Sequence, residues 1–247
     1  MKVNITIIIF LLAVVPVIAS AQTLLTADGK TDTYQLIEKA FGKMAYEVPD
    51  CGHKVFGPHI TQVLDSELGK YVFVFHLHVK PDDDRCENDD RQRCEIKTYN
   101  PSPDALKGFQ GDTCTYRWKF KLDAKFLASP KFCHIHQLKA VDGDDGKPLI
   151  TITPRSGKPD KLQIIFTPSE GQGDWTILSS ADLALFKGVW IEAEEKVTYG
   201  KNGSYSLILR RVKDGVVLLT FSKTGLALWR KGASFVRPKW GIYRSLD

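Results

Sequence analysis

The chain has 247 residues, of which 43% are hydrophobic and 26% charged, and a formal net charge of +5. That length and apolar content suit one ordinary globular domain, since all-β domains of roughly 200–250 residues commonly fold as single units. The sequence has no internal repeat, low-complexity tract, Gly-rich phosphate loop or G-x-S-x-G elbow, and its scattered aromatics form no nucleic-acid platform; its mild positive charge is compatible with an anionic substrate.

Lys2 precedes an apolar run over 7–18, which ends at Ala19-Ser20-Ala21. A positive start, a short apolar core and an A-x-A ending describe a secretory signal cleaved after Ala21. The run is shorter than the ~18–20 residues that span a bilayer, which argues against a membrane anchor. The expectation is a secreted, soluble, monomeric protein comprising residues 22–247 as one domain. Once the signal is removed, it should engage neither membrane nor nucleic acid.

Next comes a helix over 33–41, capped by Asp32 and closed by Gly42. Alternating runs then predict strands over 71–80, 94–99, 115–122, 134–140, 149–153, 162–166, 189–197, 204–212 and 216–222. Turn signals such as Asp142-Gly143-Asp144-Asp145-Gly146 and Asp214-Gly215 separate them. Many strands and one short N-terminal helix imply an all-β sandwich or jelly roll. In the strand over 115–122, Tyr116, Trp118, Phe120 and Leu122 should pack inward. Arg117, Lys119 and Lys121 then form a cationic row on the other face, either solvated or part of a groove.

Three stretches carry the chemistry: Arg93-Cys94-Glu95-Ile96-Lys97, His134-Ile135-His136 and Lys239-Trp240-Gly241-Ile242-Tyr243. Residues i, i+2 and i+4 of a strand share a face. Arg93, Glu95 and Lys97 therefore share one side, as do His134 with His136 and Lys239 with Tyr243. Side by side, three such strands would form a cationic groove containing a His and a Tyr. By the same parity Cys94, Cys114 and Cys133 face the core as thiols. Cys51 and Cys86 lie beside turn-like segments and are the first choice for a disulfide.

In this order the stretches resemble those of the jelly-roll polysaccharide lyases, the heparin-lyase-I-like, glucuronan-lyase and alginate-lyase type. The alginate-lyase pattern reads R-[ST]-E-[LV]-R, Q-[IV]-H and Y-F-K-A-G-[IV]-Y. Asp90-Arg91-Gln92-Arg93 and His136-Gln137-Leu138-Lys139 look more like the glucuronan-lyase branch. The resemblance implies a β-jelly roll (a concanavalin A-like sandwich) and cleavage of a uronic-acid-containing anionic polysaccharide by β-elimination. It carries over Arg93, His136 and Tyr243 as catalytic residues, Lys239 in the active groove, and Glu95 and Lys97 in support. Arg117, Lys119, His76, His78 and His134 are expected to bind substrate. His134 stands where the pattern has Gln; protonated, it would hold a substrate carboxylate.

The residue types fit that chemistry. Elimination requires neutralising the uronate carboxylate, removing the C5 proton and protonating the leaving O4. A phenol serves as base only when positive neighbours activate it, and Lys239 and Arg93 would supply that field. For glucuronate Tyr243 alone would serve as base and acid. For guluronate His136 would be the base.

No cofactor or metal site is assigned. The pairs His76-Leu77-His78 and His134-Ile135-His136 have no carboxylate at a spacing that completes a metal site. The acidic cluster at 142–145 lacks full calcium-loop spacing, although a structural calcium is left open. Asn202-Gly203-Ser204 is a glycosylation sequon. The alternative to a lyase is a non-catalytic carbohydrate-binding jelly roll. A weaker third option is a glycoside hydrolase, which would need paired carboxylates such as Glu192 and Glu194.

Overall fold

The computed structural model describes residues 22–169 and 174–246. The signal segment expected at 1–21 lies outside the described residues. Helix α1 (Thr33–Phe41) forms where the sequence places it: the Asp32 carboxylate accepts from the Gln35 N–H at 3.0 Å, and Gly42 ends the helix at φ 89°. A side chain at Gly42 would meet the Pro101 carbonyl oxygen at 2.7 Å, so both backbone angle and space call for glycine.

Thirteen strands follow among the described residues. In chain order they are β1 (Tyr46–Glu47), β2 (Ile60–Asp65), β3 (Lys70–Phe75), β4 (Arg91–Lys97), β5 (Thr113–Phe120), β6 (Cys133–Val141), β7 (Ile150–Arg155), β8 (Lys161–Phe166), β9 (Thr176–Asp182), β10 (Ile191–Thr198), β11 (Gly203–Arg211), β12 (Val217–Leu226) and β13 (Phe235–Ser245). They make an all-β sandwich of the jelly-roll kind. One sheet has the order β1-β4-β13-β6-β7-β8-β9, the facing sheet β12-β11-β10-β5, and β2 pairs with β3 apart from both. The last strand, β13, lies between β4 and β6, so residues far apart in sequence become neighbours.

The main core lies between the two sheets. Leu138, Ile150, Ile152, Leu162 and Ile164 from one sheet meet Ala193, Val197, Leu207 and Leu209 from the other. Strands β10 and β11 alternate buried and less buried residues along their length, as expected for a sheet with one solvated face. In β4 every residue after Arg91 is buried. Its Cys94 and Ile96 pack with Ile37, Phe41 and Ile60 in a second cluster, while Arg93, Glu95 and Lys97 point the other way into a network of charges.

Several expectations change. The strand predicted over 71–80 stops at Phe75, so His76 and His78 lie in a loop. Two-residue β1 is too short to show a periodicity, and β2 and β9 were also not anticipated. Arg117 and Lys119 sit on β5, in the sheet opposite the three motif strands. They pair with Glu194 at 3.1 Å and Glu192 at 3.5 Å across β10, so the cationic row is a solvated face balanced by carboxylates. Neither residue lies with the substrate-binding set, and Glu192 and Glu194 are occupied as their partners.

Cys51 and Cys86 form a disulfide with Cα atoms 6.2 Å apart. Cys94 and Cys133 are buried free thiols, and Cys114 is half-buried rather than buried. Burial pushes the Cys133 thiol up to about 11 and raises the other two, so none is primed as a thiolate. Asn202 of the sequon is exposed in the turn between β10 and β11.

Candidate functional site

The motif strands lie side by side. Across β4 and β13, Lys97 pairs with Lys239, Glu95 with Gly241 and Arg93 with Tyr243. Glycine is required at 241: its φ is +140°, and a Cβ would approach the Cys94 carbonyl oxygen to 2.1 Å. On the other side of β13, Trp240 pairs with His136 and Tyr243 with His134, so Gly241 and Ile242 lie opposite Ile135 alone. This slip breaks the simple alternation on which the histidine assignment rested.

The consequence is a correction. His134 stays beside Tyr243, their rings 6.2 Å apart. His136 turns into the space between the sheets, fully buried, where Nε2 lies 2.9 Å from the Glu195 carboxylate of β10. Its ring packs 4.6 Å from Trp118 and 5.6 Å from Trp240. His134 and His136 do not share a face, and His136 is a core residue with no approach to the floor. Gln137 faces the floor instead and donates to Glu95.

The floor is a buried, alternating array of charges. Glu47 of β1 meets Lys239, Lys97 at 2.9 Å and Arg93 at 3.3 Å; Glu95 meets Lys239 at 2.9 Å and Arg93 at 3.0 Å. Asp84 adds a third carboxylate, 2.8 Å from Arg93 Nε. Burial alone would raise the Glu47 and Glu95 carboxyls, but Lys239 and Arg93 outweigh it and hold both below the usual range. Burial pulls Lys97 down to about 8 despite Glu47. Lys139 is lowered too, first by burial and then by Lys239, with Asp145 opposing and Arg237 and Arg93 adding to the shift.

Tyr243 stands at the edge of this array. Its Oη accepts a hydrogen bond from Arg91 Nη1 at 3.2 Å, and the Arg93 guanidinium lies 3.6 Å from its ring centroid. Arg91 is in turn held by Asp90 at 2.6 and 2.7 Å. Negative charge developing on Oη would therefore meet two prearranged guanidinium groups. Arg91 has the same strand parity as Arg93, so extending the first motif by two residues would have found it. Glu47, 46 residues from Arg93 in sequence, carries no such signal.

His134 sits with Nδ1 2.7 Å from Thr153 Oγ1. Burial, with Arg155, Arg93 and Lys239 nearby, pushes its pKa down to about 4 against partial opposition from Glu95. It is therefore a neutral imidazole at neutral pH, not the protonated carboxylate-holder that the sequence suggested. The linkage has a definite sign. From the ordinary 6.5 down to about 4, an unfolded His134 takes up a proton and the folded one does not. Its contribution to stability is present above that window and is lost as pH falls through it. Denaturant titrations across the window should show a weaker pH dependence for His134→Gln than for the parent; equal dependence would contradict the assignment.

His76 and His78 do not line the floor. His76 Nε2 lies 2.8 Å from Thr61 Oγ1, and His78 Nδ1 lies 3.0 Å from Asp82. The His78 carbonyl accepts from Gln92, which alternates with Arg91 and Arg93 and so points to the far side of β4. Of the residues expected in the groove, the structure thus brings together Arg93, Glu95, Lys97, His134, Lys239 and Tyr243, and separates His76, His78, Arg117, Lys119 and His136 from them.

No family profile and no curated protein sequence matches the chain. Among solved structures it is similar to an endo-β-1,4-glucuronan lyase from the fungus Trichoderma reesei, at 15% identity and TM-score 0.47 over 74% of each chain. It is also similar to an alginate lyase from Pseudomonas aeruginosa, at 14% identity and TM-score 0.41 over 62% of this chain and 64% of that one. A carbohydrate esterase from Shiga toxin-encoding bacteriophage phi24B aligns at 14% identity and TM-score 0.39, over 76% and 88%.

Proposed function

We propose that the chain is a secreted polysaccharide lyase that cuts a uronic-acid-containing polymer, glucuronan-like in preference, by β-elimination. The observation that carries this reading is Tyr243, with Arg91 3.2 Å from its hydroxyl and Arg93 3.6 Å from its ring centroid. Binding a polyanion needs the cations; it does not need a phenol held between two of them. Arg91, the more exposed guanidinium, pairs with the substrate carboxylate and so acidifies the neighbouring C5 proton, while Arg93, already held by Asp84, Glu47 and Glu95, acts on Tyr243 through its ring. Entering the step as the phenolate, the Tyr243 oxygen takes that proton, the C5–H electrons form the C4–C5 double bond, and the C4–O4 bond breaks. The proton passes from Tyr243 to the departing O4, so one residue is base and then acid.

With His136 in the core, this same-side route is the one the floor residues support, and it suits glucuronate or mannuronate. Substrates whose proton and leaving group depart from opposite sides need a second proton carrier. The imidazole beside Tyr243 is His134, whose pKa of about 4 makes it a weak proton acceptor, so guluronate-rich polymers should be cut less well. A hydrolytic route would require two free carboxylates across the scissile bond, whereas Glu47 and Glu95 are both clamped by Arg93 and Lys239.

The reading is tested by following absorbance of the unsaturated uronate while purified protein is offered glucuronan, alginate, heparin and pectic acid in turn. The expected result is a rise with glucuronan above the others. Binding to one of these polymers with no rise from any would establish the non-catalytic carbohydrate-binding reading instead.

A further inference from the structure

Away from the floor, two loops without regular structure are drawn together by a cluster of imidazoles. His53 and His59 come from the segment before β2, and His78 and Asp82 from the segment after β3. His53 Nδ1 lies 2.7 Å and His59 Nε2 3.2 Å from Asp82 Oδ1, while His78 Nδ1 lies 3.0 Å from Oδ2. One ligand atom from each of the four residues falls within 4.8 Å of all the others. The His59 and Asp82 side chains are fully buried. Phe56 covers the cluster, with its ring 4.4 Å from that of His78 and 4.8 Å from that of His59.

We propose that His53, His59, His78 and Asp82 bind one divalent transition-metal ion of the zinc class. Three imidazole nitrogens and a carboxylate are a donor set for zinc, and for cobalt or nickel in its place, whereas calcium takes an all-oxygen shell. Zinc bonds of about 2.0–2.2 Å put tetrahedral ligand atoms about 3.3 Å apart, a spacing reached from these positions by small side-chain movements.

Two further observations point to a cation. The Asp50 carboxylate lies 2.8 Å from His59 Nδ1 and accepts a 2.6 Å hydrogen bond from Tyr34, so a held carboxylate orients the ring from behind, as outer partners of metal-bound histidines do. Both His59 nitrogens thus face carboxylate oxygens, yet a neutral imidazole has one N–H. With the proton on Nδ1 toward Asp50, Nε2 presents a lone pair to Asp82, a repulsion that a shared cation converts into two bonds.

The ion would also anchor the floor. Asp82 is a ligand, the Asp83 carbonyl accepts from the Arg93 N–H at 3.2 Å, and Asp84 holds the Arg93 side chain at 2.8 Å. Cys86 then ties the same loop to Cys51, two residues before His53. The site stands on its own residues, and its detection does not depend on the proposed reaction.

The test uses the full, untagged, disulfide-intact chain after treatment with a chelator. Titration with Co(II) should show one equivalent bound with the visible bands of a tetrahedral nitrogen–oxygen site, displaced by Zn(II), and Zn(II) should raise the melting temperature. His53→Gln and His78→Gln should abolish the bands, and Asp50→Asn should weaken affinity about 10- to 100-fold. No stoichiometric binding by the folded parent chain would overturn the proposal and leave a histidine cluster hydrogen-bonded around Asp82. Binding undiminished in both His53→Gln and His78→Gln would overturn it equally.

Discussion

Tyr243→Phe is expected to lower turnover by a factor of about 10²–10⁴, the scale for losing a general acid or base, while leaving polymer binding within a few-fold of the parent. The substitution removes only Oη. The ring remains to stack beneath Arg93 at 3.6 Å and against Phe132 at 4.9 Å, and Arg91 keeps its pair of hydrogen bonds to Asp90. The charged floor of Glu47, Glu95, Lys97 and Lys239 does not involve the hydroxyl and should persist. Separate measurement of kcat and of affinity for an uncut polymer distinguishes the outcomes. Full elimination activity in the variant would remove Tyr243 as the proton carrier. Loss of binding with kcat intact would make its hydroxyl a substrate contact instead.

His136→Ala should destabilise the fold by about 3–5 kcal/mol, the cost of stripping one partner from a buried ionic or hydrogen-bonded pair. Its imidazole and the Glu195 carboxylate are both fully buried, 2.9 Å apart, between Trp118 and Trp240. The substitution opens a cavity among those rings and leaves the Glu195 carboxylate without its imidazole. Replacing both residues with leucine should restore much of the loss, because a well-packed apolar pair often matches or exceeds a buried polar one. Denaturant unfolding of the two single variants and the double variant measures this directly. Activity per folded molecule should stay near that of the parent. A catalytic His136 would give the reverse pattern: parental stability, with turnover lost.

These two residues show where strand parity can be trusted. The alternation that put Arg93, Glu95 and Lys97 on one face of β4, and Lys239 with Tyr243 on β13, holds because those strands pair in continuous register. On β6 the same rule failed, since the slip at Gly241 sends His134 and His136 to opposite faces. A lone glycine in a strand is the usual sign of such an irregularity, but its effect falls on the neighbouring strand. Helix α1 was legible because its signals are local: Asp32, an apolar stripe and Gly42. The misplacement of Arg117 and Lys119 has a different cause. Parity tells which residues share a face and says nothing about which of two sheets a strand joins. The histidine cluster was hidden because His53, His59 and His78 share no spacing; loops on either side of β2 and β3 bring them to one carboxylate.

The fate of oxygen from water separates elimination from every hydrolytic alternative. Glucuronan is digested in water enriched in heavy oxygen, and the fragments are weighed by mass spectrometry. Elimination breaks the C4–O4 bond without water: the fragments should carry an unsaturated non-reducing end and no heavy oxygen beyond slow exchange at the reducing end. Saturated fragments with heavy oxygen at the newly formed ends would mean that the bond is hydrolysed, and would contradict the role given to Tyr243 and its guanidinium partners.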